Sequence, residues 1–171
     1  MGDDGDSPTF SIQFDGDENT RAYIHKDGKA TATFPNNDTY TGQYKNMKKH
    51  GNGQYSFLSL NETSAYTGEY LDGARSGQGK LIYPDNSVYE GQWLNNERSG
   101  EGIYVYSNGD QYIGQWLNDK RHGHGRYIYA SDRTEFSGEY NNGECLNGQW
   151  EMYAGKLYKA NINNGKIIGY A

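Results

Sequence analysis

Five times along this chain an aromatic residue, a glycine and a second aromatic fall on alternate positions: Tyr40-Thr-Gly42-Gln-Tyr44, Tyr66-Thr-Gly68-Glu-Tyr70, Tyr89-Glu-Gly91-Gln-Trp93, Tyr112-Ile-Gly114-Gln-Trp116 and Phe136-Ser-Gly138-Glu-Tyr140. The central glycines are 26, 23, 23 and 24 residues apart. Seven residues past the last aromatic of the first four cores comes a glycine pair: Gly51/Gly53, Gly77/Gly79, Gly100/Gly102 and Gly123/Gly125. A repeat kept in register to this degree leaves few folds open, because each unit has to bury its apolar face against near-copies of itself.

A second alternating run follows each pair: Gly53-Gln-Tyr55-Ser-Phe57, Gly79-Lys-Leu81-Ile-Tyr83, Gly102-Ile-Tyr104-Val-Tyr106 and Gly125-Arg-Tyr127-Ile-Tyr129. Side chains alternate faces along a strand, so each run turns its large residues and its glycine the same way. The segments "PNND", "PDNS" and "SNGD" carry residues that tolerate the positive φ of a tight turn, and each unit reads as a β-hairpin. A ring from the neighbouring strand can lie over a glycine's bare backbone, which gives glycine a use inside a strand. With the 17 tyrosines set aside and the 24 glycines counted, the apolar share is about 37% against the usual ~45–50%, too little for a thick two-layer core. The expected fold is all-β: an elongated single-layer antiparallel meander of hairpin repeats, curved and twisted into a half-pipe whose concave face is aromatic.

The net charge of −6 sits at the N-terminus, where Asp3, Asp4, Asp6, Asp15, Asp17 and Glu18 precede the first Lys or Arg and the rest of the chain is neutral. That run reads as a solvated lead-in, and without a basic cluster nucleic acid is not an expected partner. Cys145 is the only cysteine, which excludes an intrachain disulfide and points to a reducing, cytoplasmic setting. No apolar run approaches the ~20 residues of a membrane-spanning helix, and no secretory leader follows the acidic start.

Enzyme signatures fail in turn. "GARSGQGKL" separates Gly73 from Gly79 by one residue more than a phosphate-binding loop allows and puts Leu81 where Ser or Thr should follow Lys80. His122 and His124 form an HxH without a third ligand nearby in sequence. The carboxylates fall on turns and the outer face, lacking the buried pairing that raises a pKa for acid-base work. The expectation is a non-enzyme with no cofactor and no metal.

The in-register cores and glycine pairs resemble the MORN repeat, the membrane occupation and recognition nexus, over Gly28 to about Gly169. The pattern fades at both ends: Gly28, Ala30, Ala32 and Phe34 echo only a second strand, Phe10, Ile12 and Phe14 resemble a capping strand, and Ala160 and Ile162 stand where Gly and an aromatic belong. Terminal repeats of solenoids diverge in this way because they cap the array. The division expected is an acidic lead-in and capping strand over 1–20 and a repeat array over 21–171, ending so close to the last repeat that no catalytic domain follows. Within the family the chain is most similar to radial spoke head proteins of cilia and flagella. The resemblance implies a scaffold in the cytoskeleton of the axoneme that mates with other protein subunits.

Two surfaces are candidates for that assembly. The first is an aromatic groove formed by Tyr40, Tyr44, Tyr66, Tyr70, Tyr83, Tyr89, Trp93, Tyr104, Tyr106, Tyr112, Trp116, Tyr127, Tyr129, Phe136, Tyr140 and Trp150, since exposed Tyr and Trp without a covering layer are the usual anchors of a protein interface. A partner helix gripped there is an alternative to the spoke head. The second is a basic edge of Lys48, Lys49, Arg75, Arg98, Lys120 and Arg121 on long loops between repeats, opposed by an acidic edge of Asp38, Asp85, Asp110 and Asp132. That basic edge leaves peripheral contact with anionic lipid at a membrane or cortex as a further reading. The end strands of an open meander also leave homodimerisation open.

Overall fold

The computed structural model describes residues 10–22, 26–58, 64–152, 156–163 and 166–170, with side chains placed as far as Trp150 and again at Lys166. Asp3, Asp4 and Asp6 therefore lie outside the described residues, as do the side chains of Ala160 and Ile162. Every described element is a β-strand, in two compact units that divide after Pro84. The first unit holds β1 (Ser11–Phe14), β2 (Gly28–Thr33), β3 (Thr39–Lys45), β4 (Lys48–Ser56), β5 (Ala65–Leu71) and β6 (Ala74–Ile82). The second holds β7 (Val88–Leu94), β8 (Glu97–Val105), β9 (Gln111–Leu117), β10 (Lys120–Ile128), β11 (Glu135–Asn141), β12 (Glu144–Met152), β13 (Lys156–Asn163) and β14 (Lys166–Tyr170). Within each unit every strand pairs antiparallel with its neighbour in sequence, and the order never closes into a barrel. The all-β antiparallel meander expected from the repeat is the observed architecture.

Strand register turns the sequence repeat into rows that cross the sheet. Tyr40, Tyr55, Tyr66 and Leu81 are cross-strand partners in the first unit; Tyr89, Tyr104, Tyr112, Tyr127, Phe136 and Trp150 are partners in the second. The glycines form a parallel row, Gly91, Gly102, Gly114, Gly125, Gly138 and Gly148 in the second unit. Packing then fixes the core. The tyrosine that opens each core folds back over its own strand's glycine and the partner strand's glycine, and its hydroxyl donates to the carbonyl three residues on: Tyr40 to Gln43 at 3.1 Å, Tyr66 to Glu69 at 3.0 Å, Tyr89 to Gln92 at 2.9 Å, Tyr112 to Gln115 at 3.1 Å. All four rings are fully buried.

The two glycines of a pair serve different purposes. At Gly125 a Cβ would strike the Tyr112 ring and hydroxyl, so this position is bare because a ring occupies the space. Gly123, at φ 57°, is in the left-handed region within a β-bulge that adds residues to β10 opposite β9; only glycine enters that region without a steric cost. The Gln115 side chain lies against Gly123 and accepts the His124 amide at 3.3 Å, bracing the bulge. The fifth unit keeps Gly148 under the Phe136 ring but has no counterpart of the bulge glycine, and its bulge is shorter, with Tyr140 opposite Cys145 and Glu139 opposite Asn147.

One expectation is reversed. The basic residues do not lie on long loops: Lys48, Lys49, Arg75, Arg98, Lys120 and Arg121 all belong to strands, and the reversal before them is a two-residue turn. Both turn residues have positive φ in every case, Asn46 and Met47, Asp72 and Gly73, Asn95 and Asn96, Asn118 and Asp119, Asn142 and Gly143. That is the signature of the hairpin turn whose twist matches the flanking strands. The wider reversals are the "PNND", "PDNS" and "SNGD" segments.

Candidate partner-binding surface

Most of the rings assigned to the groove are not available to a partner. Tyr40, Tyr44, Tyr66, Tyr70, Tyr89, Trp93, Tyr112, Trp116, Phe136 and Tyr140 are buried within this chain. Within each unit most of them pack edge-on, Tyr40 against Tyr44 and Tyr70 in the first, Tyr89 against Trp93 and Trp116 and Tyr112 against Trp116 and Tyr140 in the second, all with centroids 5.1–5.3 Å apart. Such pairs contribute ~0.5–1.5 kcal/mol each beyond area burial, so these residues are the core of a one-layer protein. Burial pushes the Tyr40, Tyr66 and Tyr140 phenols up to about 12.

The half-buried rings are those of the second strands. Tyr104, Tyr106, Tyr127, Tyr129 and Trp150 form a ladder across β8, β10 and β12, with centroid spacings of 4.7, 5.5, 4.8 and 5.4 Å. Phe34, Tyr55 and Phe57 make the corresponding ladder of the first unit, at 5.5 and 4.7 Å, and Tyr83 is likewise half-buried. Hydroxyls of the ladder are anchored at the wide turns. Tyr55 donates to Asp38 at 3.0 Å, Tyr127 donates to Asp110 at 2.7 Å, and Tyr104 shares a 2.7 Å hydrogen bond with Ser87.

Asp38 and Asp110 are accordingly buried rather than part of an acidic edge. Asp110 also accepts the Ala130 amide at 2.8 Å, and these two bonds hold its carboxyl below the usual carboxylate range. Asp85 and Asp132 remain exposed, where they accept the amides of Ser87 and Thr134 within their turns. The equivalent buried position recurs as Asp38, Ser64, Ser87, Asp110 and Thr134. Its polar character and fixed offset were visible in the sequence as the signal of an inward-facing anchor.

The cations divide in the same way. Lys48 and Lys120 are exposed, while Lys49, Arg75, Arg98 and Arg121 turn over the rings. Lys49 Nζ is 4.3 Å from the Tyr55 centroid and 5.2 Å from that of Phe34; burial, with Arg75 nearby, holds this ammonium below the usual lysine range against the opposing pull of Asp38. The Arg98 guanidinium lies 4.4 Å above Trp116, and its Nε bonds Asp119 Oδ1 at 2.9 Å. Arg121 lies 4.9 Å from Tyr140 and donates to the Gly143 carbonyl at 3.0 Å. Arg98 and Arg121 thereby tie their strands to the turn of the next hairpin, an attachment reinforced by backbone bonds from Asp119 to Arg98 and Gly143 to Arg121, and the Gly73 amide bonds the Lys49 carbonyl in the same way. A cation over a ring is worth ~0.5–2 kcal/mol according to how dry it is.

In the second unit this face carries a cleft of about 330 Å³, lined by Arg98, Tyr104, Tyr106, Trp116, Asp119, Lys120, Arg121 and Gly143. Its arrangement suits docking of a polypeptide segment: flat rings for apolar contact, bordered by hydrogen-bond donors. The opposite face of the same unit carries a larger open depression of about 780 Å³, floored by Gly114, Gly125, Gly138 and Gly148 and walled by mixed charges such as Glu139 and Arg126. The sequence reading missed this depression, although glycines in cross-strand register strip side chains from a line across both faces. Among the described residues no group of three or more His, Cys, Asp or Glu converges, and no helix is long and apolar enough to cross a membrane.

Repeated hairpins in an open meander, with a core of packed rings within each unit, define a β-repeat protein. MORN repeat models match residues 40–58, 66–88, 89–111 and 112–132, together half of the chain, and the chain belongs to the MORN repeat family. No curated protein sequence matches it. Among solved structures the chain is similar to the TCP10 domain of Danio rerio CPAP in complex with a peptide of Danio rerio STIL, at 16% identity over 96% of this chain and 74% of that one, with a TM-score of 0.52. The TCP domain of Drosophila melanogaster SAS-4, in complex with a proline-rich motif of Ana2, matches at 16% identity over 84% of this chain and 94% of that one, with a TM-score of 0.44. At 16% identity the likeness to the TCP10 domain is one of fold.

Proposed function

We propose that this protein is a non-catalytic scaffold that holds a partner polypeptide on the second-strand side of its aromatic face, at the cleft where Tyr104 and Tyr106 keep exposed surface. The observation that carries this reading is the division of the rings: the first-strand rings are consumed by the core, whereas the second-strand ladder keeps exposed surface beside a cleft. The TCP10 domain of similar fold, which was solved with a peptide, supports a polypeptide as the occupant. Membership of the MORN repeat family, whose repeats here build a continuous hairpin array, is in keeping with a binding role.

The setting we propose is the cytoskeleton, with the chain as a radial spoke head component of the axoneme; its support is the resemblance of the repeats. Fractionation tests both levels. Retention in salt-washed, detergent-extracted axonemes, lost on Tyr106→Ala while the variant stays folded, is the expected outcome. Release of the unmodified protein into the detergent extract would count against the axoneme, and retention unaffected by Tyr106→Ala would count against the cleft.

A further inference from the structure

We infer that the cleft in the second unit selects an acidic segment of its partner, with a carboxylate seated at Lys120 and Arg121 and a neighbouring apolar side chain laid on Tyr104 and Tyr106. The inference rests on the reading of the aromatic face as the partner site and adds the chemistry of what that site recognises. Three cations line the cleft, Arg98, Lys120 and Arg121, against one carboxylate, Asp119. That carboxylate is already engaged: it accepts both the Arg98 backbone amide and Nε at 2.9 Å. The charge of Arg98 is therefore met inside the protein, and the surplus resides on Lys120 and Arg121. Lys120 is exposed, and Arg121 spends one donor on the Gly143 carbonyl while its guanidinium remains beside the rings. A guanidinium keeps several donors in a fixed fork, so a carboxylate can pair with those that the carbonyl leaves. Rings next to surplus positive charge favour a ligand that alternates apolar and acidic residues.

Selection from a phage-displayed library of randomised linear peptides tests this with the whole chain. Ligands enriched in Asp and Glu next to apolar residues are expected. Their affinity should fall by about tenfold on Lys120→Glu, a surface charge reversal that leaves the fold intact, and should weaken as salt screens the contact. It should fall on Tyr106→Ala and return on Tyr106→Phe. Peptides that depend on Tyr106 but show no acidic enrichment and no response to Lys120→Glu would overturn the inference while leaving the docking site standing. Peptides insensitive to Tyr106→Ala, or no selected peptide at all, would overturn both.

Discussion

At Gly125 the space a side chain would need is already filled by the Tyr112 ring. Gly125→Ala should lower stability by about 1–3 kcal/mol, the usual cost of overpacking, read as a shift in urea midpoint at constant slope. Buried serines offer a finer contrast. Ser87 bonds the Tyr104 hydroxyl and Asp85, whereas Ser64 Oγ has no partner among the described residues, because Leu81 stands where the other units place Tyr55, Tyr104 and Tyr127. Ser87→Ala should therefore cost about 1 kcal/mol and Ser64→Ala close to nothing, since a hydroxyl without a bond contributes no hydrogen-bond energy to lose. Equal losses in thermal melts would show that a bound water serves Ser64.

Between elements, the cation of one hairpin and the turn of the next act together. Arg98 stacks on Trp116, bonds the Asp119 carboxylate through Nε and donates to the Asp119 carbonyl at 2.7 Å. A lysine cannot span those contacts at once, because a compact ammonium lacks the planar fork. Arg98→Lys should thus destabilise the second unit by about 1–2 kcal/mol, with faster amide exchange at the Asp119 turn, while Lys120→Ala stays within ~0.5 kcal/mol. The same packing explains why Lys49, Arg75, Arg98 and Arg121 are half-buried over rings instead of standing on a solvated edge. Of a pair such as Lys120 and Arg121, which border the same cleft, one head stays solvated and the other covers rings.

Across the whole molecule the distributed tyrosine core makes stability a function of alkaline pH. Burial raises the phenols of Tyr40, Tyr55, Tyr66 and Tyr140 to about 12, and of Tyr44, Tyr70, Tyr112 and Tyr127 further. Above the unfolded phenol pKa of ~10 the unfolded chain has lost protons that the folded chain keeps, so stability falls as pH rises from there. Many groups act together, so the loss should be steep. Tyrosinate absorbance should lag until it appears cooperatively with unfolding; gradual ionisation at the normal pKa with the fold retained would contradict the buried core.

From the sequence alone came the hairpin repeat, the alternation of faces, the antiparallel order and the identity of the aromatic rows, because each follows from local periodicity that is independent of neighbours. The tight turns before the basic residues read as long loops in the sequence, because pairs such as Asn46-Met47 and Asn118-Asp119 lack the plainer punctuation of "PNND" and its counterparts. Which ring is core and which is surface was not legible. Tyr112 and Tyr127 are the same residue type, cross-strand partners facing the same way; only packing lets the Tyr112 ring collapse onto two glycines while the Tyr127 hydroxyl reaches Asp110 at the sheet's margin. The destinations of the cations and of the buried aspartates were decided at the same level. A contact between hairpins some twenty residues apart depends on register and bulge together, and these exist only once the strands have paired.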